Sequence, residues 1–522
     1  MFLLRFARKM SGAGKENDRV AFYIFACGAM LFIALHINAL FIAPFHDDWN
    51  VINDWRDSVR HANGLHALGS VILRPTGDFW RPLPTLVFAL VREESAVLPQ
   101  SLKLVALIGI AWLLSKVSQQ FGVTSLCAAL IGTAFLLHQC MVLGMEIDRW
   151  GDVFCDGALL ATFWLAGKYI RFQISFAKYA VVSICFVVIA LLGKESGAVA
   201  FLIPAIYAVF SQGDSVHRKG LFATSLLALL ATAAYLIVRM NLGLGVDSEN
   251  SYYELSIGPN LFVNIVFMVV ALLSPINTID VVLGGNSMRI VAFVAVGFAS
   301  LWLAIQLFRQ KSLMLRTYLF IIAIFFIVQG PTLLMQRTTE VNFSRSLPYG
   351  LLLITLVVYH FWNSAPKHLR WSVLVILVCA GVFHVFALYD KCTGVVRASA
   401  QAKNFRNEVQ HLMPNPPNRE IHFLVERSYY GYSSFVHPLW KSIWGDANLG
   451  MRERYKLQDY RARVDYVDGS GNSIHRIVDY DFFLDQGNHL FDRFGHIVQI
   501  YPLDPNFKRK GSLRFPNDSD LD

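Results

Sequence analysis

VAFYIFACGAMLFIALHINALFIAPFHDDWN, Val20 to Asn50, is a long apolar run that ends on two adjacent acids. A bilayer core of about 30 Å takes about 20 helical residues, so the run reads as a first membrane span over roughly 20–44. FHDDWN then places His46, Asp47, Asp48 and Trp49 at the mouth of that span. Carboxylates are costly at membrane depth, and acids held at its edge are candidates for function. The plainer reading is that they mark the end of the helix in water.

The rest of the chain repeats the pattern. Of 522 residues, 55% are hydrophobic and 16% charged, with mean hydropathy +0.45. Soluble domains carry about 25% charged residues. The formal charge of +9 invites a nucleic-acid reading, but Lys and Arg gather in short loops between apolar runs, as in cytoplasmic loops, and no nucleic-acid partner is expected. The seven Cys lie mostly in or beside apolar runs without metal spacing, so they read as small apolar side chains. Arg5, Arg8, Lys9 and Lys15 precede the first run, and no small-residue cleavage site follows promptly, which predicts an uncleaved span.

After the first span, Trp49, Ile52, Trp55 and Val59 recur at helical spacing, which predicts an interfacial amphipathic helix; Leu65 to Leu73 repeats the theme. Further spans are expected at 100–118, 124–144, 152–169, 178–193, 196–211, 220–239, 288–308, 315–335, 347–363 and 371–389. Lys116, Lys168/Arg171/Lys178, His217-Arg218-Lys219, Arg309/Lys311/Arg316 and Lys367/Arg370 fall in alternate loops, which the positive-inside rule makes cytoplasmic. The alternation holds if 261–284 is re-entrant. The expected fold is a polytopic α-helical membrane protein of about eleven spans in the inner membrane, with a cytoplasmic N-terminus. A bacterial source is read from the absence of eukaryotic retention signals. Residues 1–390 form the membrane domain and 391–522 a small mixed α/β periplasmic domain, with strands at Ile421–Glu426, Ile477–Leu484 and Ile497–Tyr501 and turns at Asp468-Gly469 and Gly471-Asn472.

Five polar clusters fall in the other, extracytoplasmic set of positions: His46-Asp47-Asp48; FWRPL with Arg81; His138 through Glu146, Asp148, Arg149 and Asp152; GKESG with Lys194 and Glu195; and FSRSLPYG with Arg345. Each has an ordinary counterpart. Arg81 could snorkel to a headgroup, Glu146 and Asp152 could cap helices, Lys194-Glu195 could be a solvated turn, and Arg345 could pair with Glu340. His138 reads as a packed histidine rather than a metal ligand. Together the clusters say more. An acid pair suits removal of a proton from a hydroxyl. Arg and Lys suit a phosphate, Arg as a fork and Lys as a point charge.

DD at 47–48, RPL at 81–83, Glu146 with Arg149 and Asp152, KE at 194–195 and SRSLPY at 344–349 resemble, in order and spacing, the GT-C membrane glycosyltransferases, nearest their protein O-mannosyltransferase-like and transmembrane-tetratricopeptide-repeat branches. The resemblance covers about 20–360. It implies a sugar taken from a polyprenyl-phosphate donor and passed, with inversion, to a hydroxyl of an acceptor glycan, lipid or protein. It makes Asp47 or Asp48 the base, and Lys194 and Arg345 ligands of the donor phosphate, with Arg81 beside them. Glu146, Asp152, Glu195 and His46 are candidates for the acceptor or a divalent cation, and no other cofactor is assigned. The pattern departs from the family at His138, followed by Gln139 where His-Pro is usual, and no tetratricopeptide repeats follow. The competing classes are a lipid-linked glycan transporter, which would carry ionisable residues midway along its spans, and a non-catalytic envelope assembly protein.

Overall fold

Apolar runs in hydrocarbon must pair their own backbone polar groups, and the α-helix does so within one segment. In a computed structural model of the chain, eight helices among the described residues are long and apolar enough to cross a membrane, so the chain is a multi-pass helical membrane protein. The structure describes residues 14–42, 69, 80–88, 96–145, 149–210, 215–244, 257–274, 276–278, 286–308, 312–335, 343–412, 424–425, 460–467, 473–480, 489–491, 497–499 and 508–509. The interfacial helices expected between 49 and 73 lie outside the described residues.

In chain order the helices are α1 (Gly14–His36), α2 (Pro82–Phe88), α3 (Val97–Gln120), α4 (Ser125–Leu136), α5 (Trp150–Ile170), α6 (Phe176–Gly193), α7 (Leu202–Phe210), α8 (Ser215–Asn241), α9 (Pro259–Leu273), α10 (Asn286–Phe308), α11 (Ser312–Leu333), α12 (Leu347–Ser364) and α13 (Lys367–Leu412). Short 3-10 segments sit at Ile37–Leu40, Gln139–Gly144 and Glu195–Phe201. Their boundaries have local causes. The Thr124 hydroxyl accepts from the Cys127 N–H at 3.4 Å and opens α4, and Ser175 opens α6 in the same way. Pro259 starts α9, where a missing N–H costs nothing.

Three expected spans differ. The one at 124–144 stops at Leu136, because His138 caps a 3-10 segment through its own ring, accepting from the Cys140 N–H. That at 196–211 divides into a 3-10 segment and α7. The span at 347–363 forms as α12 but is diluted by Pro348, Tyr349, His360 and Asn363, and is not among the eight apolar helices. The re-entrant stretch is α9, fifteen residues, too short to cross alone. The last span, expected at 371–389, is longer, since α13 continues through the expected domain boundary to Leu412.

The described chain packs as two units, Met1–Phe41 with Asp54–Thr393, and Ile42–Asn53 with Gly394–Asp522. In the first, α5 is the most enclosed of the eight apolar helices. Its Phe163 meets Tyr207 of α7, Phe320 of α11 and Tyr349 of α12 at 5.0, 5.6 and 5.4 Å between ring centres. These aromatics fill the interior beneath the site described next. In the second unit the described strands form two small sheets. Strand β2 (Tyr460–Val467) pairs antiparallel with β3 (Ser473–Tyr480) and β6 (Lys508–Arg509). Strand β4 (His489–Phe491) lies between β1 (Leu424–Val425) and β5 (Ile497–Gln499).

Candidate functional site

Glycines bring the site together. The α5 and α6 backbones cross so closely at Gly151 and Gly193 that a Cβ on Gly151 would stand 2.8 Å from the Gly193 carbonyl oxygen. Small residues permit such crossings between membrane helices. One residue beyond each glycine stand Asp152 and Lys194, and the crossing sets them face to face: Lys194 Nζ donates to Asp152 Oδ1 at 2.6 Å. Arg345, just before α12, donates through Nη2 to the same oxygen at 3.0 Å. Its Nη1 reaches Thr332 Oγ1 at 3.4 Å, and its Nε faces Asp156 Oδ1 at 3.6 Å. Ser344 donates to the other Asp156 oxygen at 2.9 Å. Two cations from distant segments therefore share one carboxylate oxygen.

Next to this centre is a second. Lys194 has extended backbone, φ −159° and ψ 142°, so its side chain and that of Glu195 diverge. Glu195 accepts a fork from Arg81, Nε at 3.0 Å and Nη2 at 2.8 Å, and Arg239 Nη1 stands 3.6 Å from its other oxygen. Arg81 immediately precedes α2 and Arg239 lies in the last turn of α8. Trp80 stacks on Tyr235 at 5.3 Å, and the Tyr235 hydroxyl donates to the Trp80 carbonyl at 3.3 Å, fastening these two segments together.

The centres differ in access. The Arg345 and Asp152 side chains are 2% and 3% exposed; Lys194, Arg239, Glu195 and Arg81 are 13%, 18%, 22% and 26% exposed. Buried charges are held where partnered, and in the inner centre each charge faces an opposite one, Arg345 Nε and Asp156 Oδ1 doing so at 3.6 Å without a hydrogen bond. Burial pushes the Lys194 ammonium down from 10.5 to about 8; Asp152 opposes the shift, and Arg345 and Arg81 reinforce it. Burial pushes Glu195 the other way, but the Arg81 charge and hydrogen bonds outweigh it and hold the carboxyl below its usual range.

Of the residues expected from sequence, Arg81, Asp152, Lys194, Glu195 and Arg345 come together here. His46, Asp47, Asp48, Glu146 and Glu340 lie outside the described residues. Among the described residues, no group of three or more His, Cys, Asp and Glu is placed to hold a metal ion. Sequence reasoning missed Asp156, Thr332 and Arg239, and quoted Ser344 within SRSLPY without assigning it a role. Asp156 was detectable as the acid one helical turn after Asp152. Arg239 stood at the end of an expected span, on the same side as the clusters.

His138 belongs to a separate polar knot. Its Nδ1 accepts from Cys140, so Nε2 carries the proton and donates to the Leu272 carbonyl at 3.3 Å, leaving neither nitrogen for a metal. Its ring packs on His384 of α13 at 4.3 Å. Nearby, Gln139 donates to the Ser274 carbonyl, Lys391 to Thr278, and Asn277 to Asp390.

No family model matches the chain, and no curated protein matches it. Among solved structures, ArnT from Cupriavidus metallidurans in the apo state is similar at TM-score 0.49 and 11% identity, over 88% of this chain and 97% of that one. The apo oligosaccharyltransferase of Archaeoglobus fulgidus gives 0.46 and 11%, over 90% and 75%. The archaeal oligosaccharyltransferase AglB of the same organism, in complex with an inhibitory peptide and a dolichol-phosphate, gives 0.47 and 9%, over 88% and 74%. Likeness at this level carries no argument about what this chain does.

Proposed function

We propose that the chain is a GT-C-type membrane glycosyltransferase that moves a sugar from a polyprenyl-phosphate donor to an acceptor hydroxyl at the extracytoplasmic face. The observation that supports this reading is the convergence of Lys194 and Arg345 on Asp152 Oδ1, at 2.6 and 3.0 Å, beside the more open Arg81–Glu195 pair. Charged groups from helix ends far apart in sequence gather at one end of α5 and α6, both long and apolar enough to cross a membrane. A phosphate on an isoprenoid tail fits that combination of cation and apolar surface.

In the proposed reaction the acceptor oxygen attacks the anomeric carbon from the face opposite the phosphate. The carbon–oxygen bond to the phosphate breaks, and the polyprenyl phosphate leaves with the electron pair. Asp47, or Asp48 as second choice, takes the hydroxyl proton. The leaving phosphate gains a negative charge during this step, so cations already in place stabilise the transition state more than the ground state. Lys194 and Arg81, half-buried where Arg345 is enclosed, are suited to contact it, and Arg345 adds charge from behind Asp152. Glu146, Asp152 and Glu195 serve the acceptor side or the positioning of these cations.

The test is transfer of labelled sugar from synthetic polyprenyl-phosphate sugars by the full chain in lipid nanodiscs. Transfer that is lost in Lys194→Ala, with the protein still folded, supports the reading. Absence of both donor turnover and polyprenyl-phosphate binding by the wild-type chain sinks it.

A further inference from the structure

The Glu195 centre carries more than the motif reading gave it. Arg239 Nη1 lies 3.6 Å from one Glu195 oxygen while Arg81 reaches both oxygens, so one carboxylate is bracketed by guanidiniums from two segments far apart in sequence. The bracket is built: the Trp80–Tyr235 stack sits immediately before Arg81 and one helical turn before Arg239. Side-chain exposures of 26% and 18% leave Arg81 and Arg239 partly accessible, whereas Arg345 at 2% is enclosed. An arginine fork that fits a carboxylate also fits a phosphate.

We propose that Arg239 is a further donor-binding residue, which with Arg81 receives the phosphate of the lipid-linked donor, and that Glu195 is a positioning residue that holds the two guanidiniums in register. This rests on the glycosyltransferase reading for the identity of the anion. Lys194 reaches the same anion from the Asp152 side, and Arg345 acts through Asp152. The consequence is a division of labour between a closed centre that sets geometry and a more accessible arginine pair that meets the ligand.

The experiment titrates the purified full chain with undecaprenyl phosphate, with undecaprenol as the neutral lipid and inorganic phosphate as the anion without a tail. Charge-assisted hydrogen bonds are worth enough that Arg239→Gln should weaken undecaprenyl phosphate binding by roughly ten- to a hundredfold. Undecaprenol binding should be unchanged. Arg239→Lys should recover part of the loss, since it restores charge without the fork, and this partial rescue separates ligand contact from a merely structural role. Inorganic phosphate should bind far more weakly and lose affinity in the same variant. Wild-type binding of undecaprenyl phosphate that is equally tight in Arg239→Gln overturns the assignment and leaves the glycosyltransferase reading standing. Wild-type failure to bind it overturns the assignment, and overturns the glycosyltransferase reading as well only when donor turnover is also absent. If Arg239→Gln does not fold, Arg239→Lys decides: affinity equal to Arg81→Lys and below wild type supports the pair, and wild-type affinity overturns it.

Discussion

At the scale of single residues, Asp152 is the pivot. It neutralises Lys194 and Arg345 from one oxygen, in a side chain 3% exposed. Asp152→Asn removes the counter-charge that Lys194 and Arg345 share and leaves Arg345 only its longer contact to Asp156, which should cost about 3–5 kcal/mol and show as a lowered unfolding temperature in detergent. A near-unchanged unfolding temperature would mean that water or lipid headgroups compensate. Lys194 gives a pH signature. With its ammonium held at about 8, the cation is present below that pH and lost as pH rises through it. Donor binding should therefore weaken between about pH 7 and 9 in the wild type. In Lys194→Arg the decline should vanish, because a guanidinium stays charged there. The charged residues themselves were legible in the sequence, because charge beside an apolar run demands a reason. Their pairing was not: Arg345 could as well have met Glu340, and only the packing of α5, α6 and α12 brings it to Asp152. The acid pair makes its own prediction. If Asp47 is the base, Asp47→Asn should slow sugar transfer by roughly a hundred- to ten-thousandfold at normal abundance, and near-normal transfer in the double Asn variant would end the mechanism.

Elements decide whether those residues meet. A Cβ at Gly197 would lie 2.4 Å from the Ala190 carbonyl carbon and oxygen, so any side chain there must push the Glu195–Phe201 segment off α6. Gly197→Ala should displace Glu195 from Arg81 and Arg239 and cut activity, while the apolar helices keep the protein in the membrane. Equal activity in Gly197→Ala would show that the segment gives way without cost to the site. Sequence reading placed GKESG between two short apolar runs but could not see this contact, since close approach depends on the neighbour as much as on the glycine. The helix ends show the same division. The start of α5, expected at 152, lies at Trp150, and α6, expected to end at 193, ends at Gly193, because hydropathy changes sharply there. The end of α13 was missed by more than twenty residues: beyond Tyr389 the run is polar but rich in Ala, Lys, Arg and Gln, which propagate helix well, and Pro414 lies just beyond the last helical residue, Leu412.

For the whole molecule, the question is which side of the membrane the site faces. The contacts fix an internal direction. Asp152 at the start of α5, Lys194 at the end of α6, Arg239 at the end of α8, Thr332 at the end of α11 and Arg345 before α12 share one end of the bundle. The opposite helix ends carry Lys168, Arg171 and Lys178 around the turn from α5 to α6, and Arg218 and Lys219 at the start of α8. Lys168 lies 3.9 Å over the Trp164 ring, an arrangement suited to an interface. If basic residues in short loops face the cytoplasm, the candidate site is expected on the other side. Counting spans from sequence alone gives eleven, because hydropathy counts any apolar stretch. The structure shortens or dilutes the three at 124–144, 196–211 and 347–363, and a twelve-residue helix such as α4 covers only about 18 Å. The side assignment survives that difference because it depends on where the charges lie. Phosphatase reporters test it. A fusion after Gly243, just beyond Arg239, should be active, and one inserted after Phe172, at the basic turn, inactive. A fusion after Leu412 should be active as well, placing the segment that follows outside the cytoplasm. The reverse pattern would put Lys194, Arg81 and Arg239 in the cytoplasm, where a donor presented at the outer face could not reach them, and the proposed transfer would have to be abandoned.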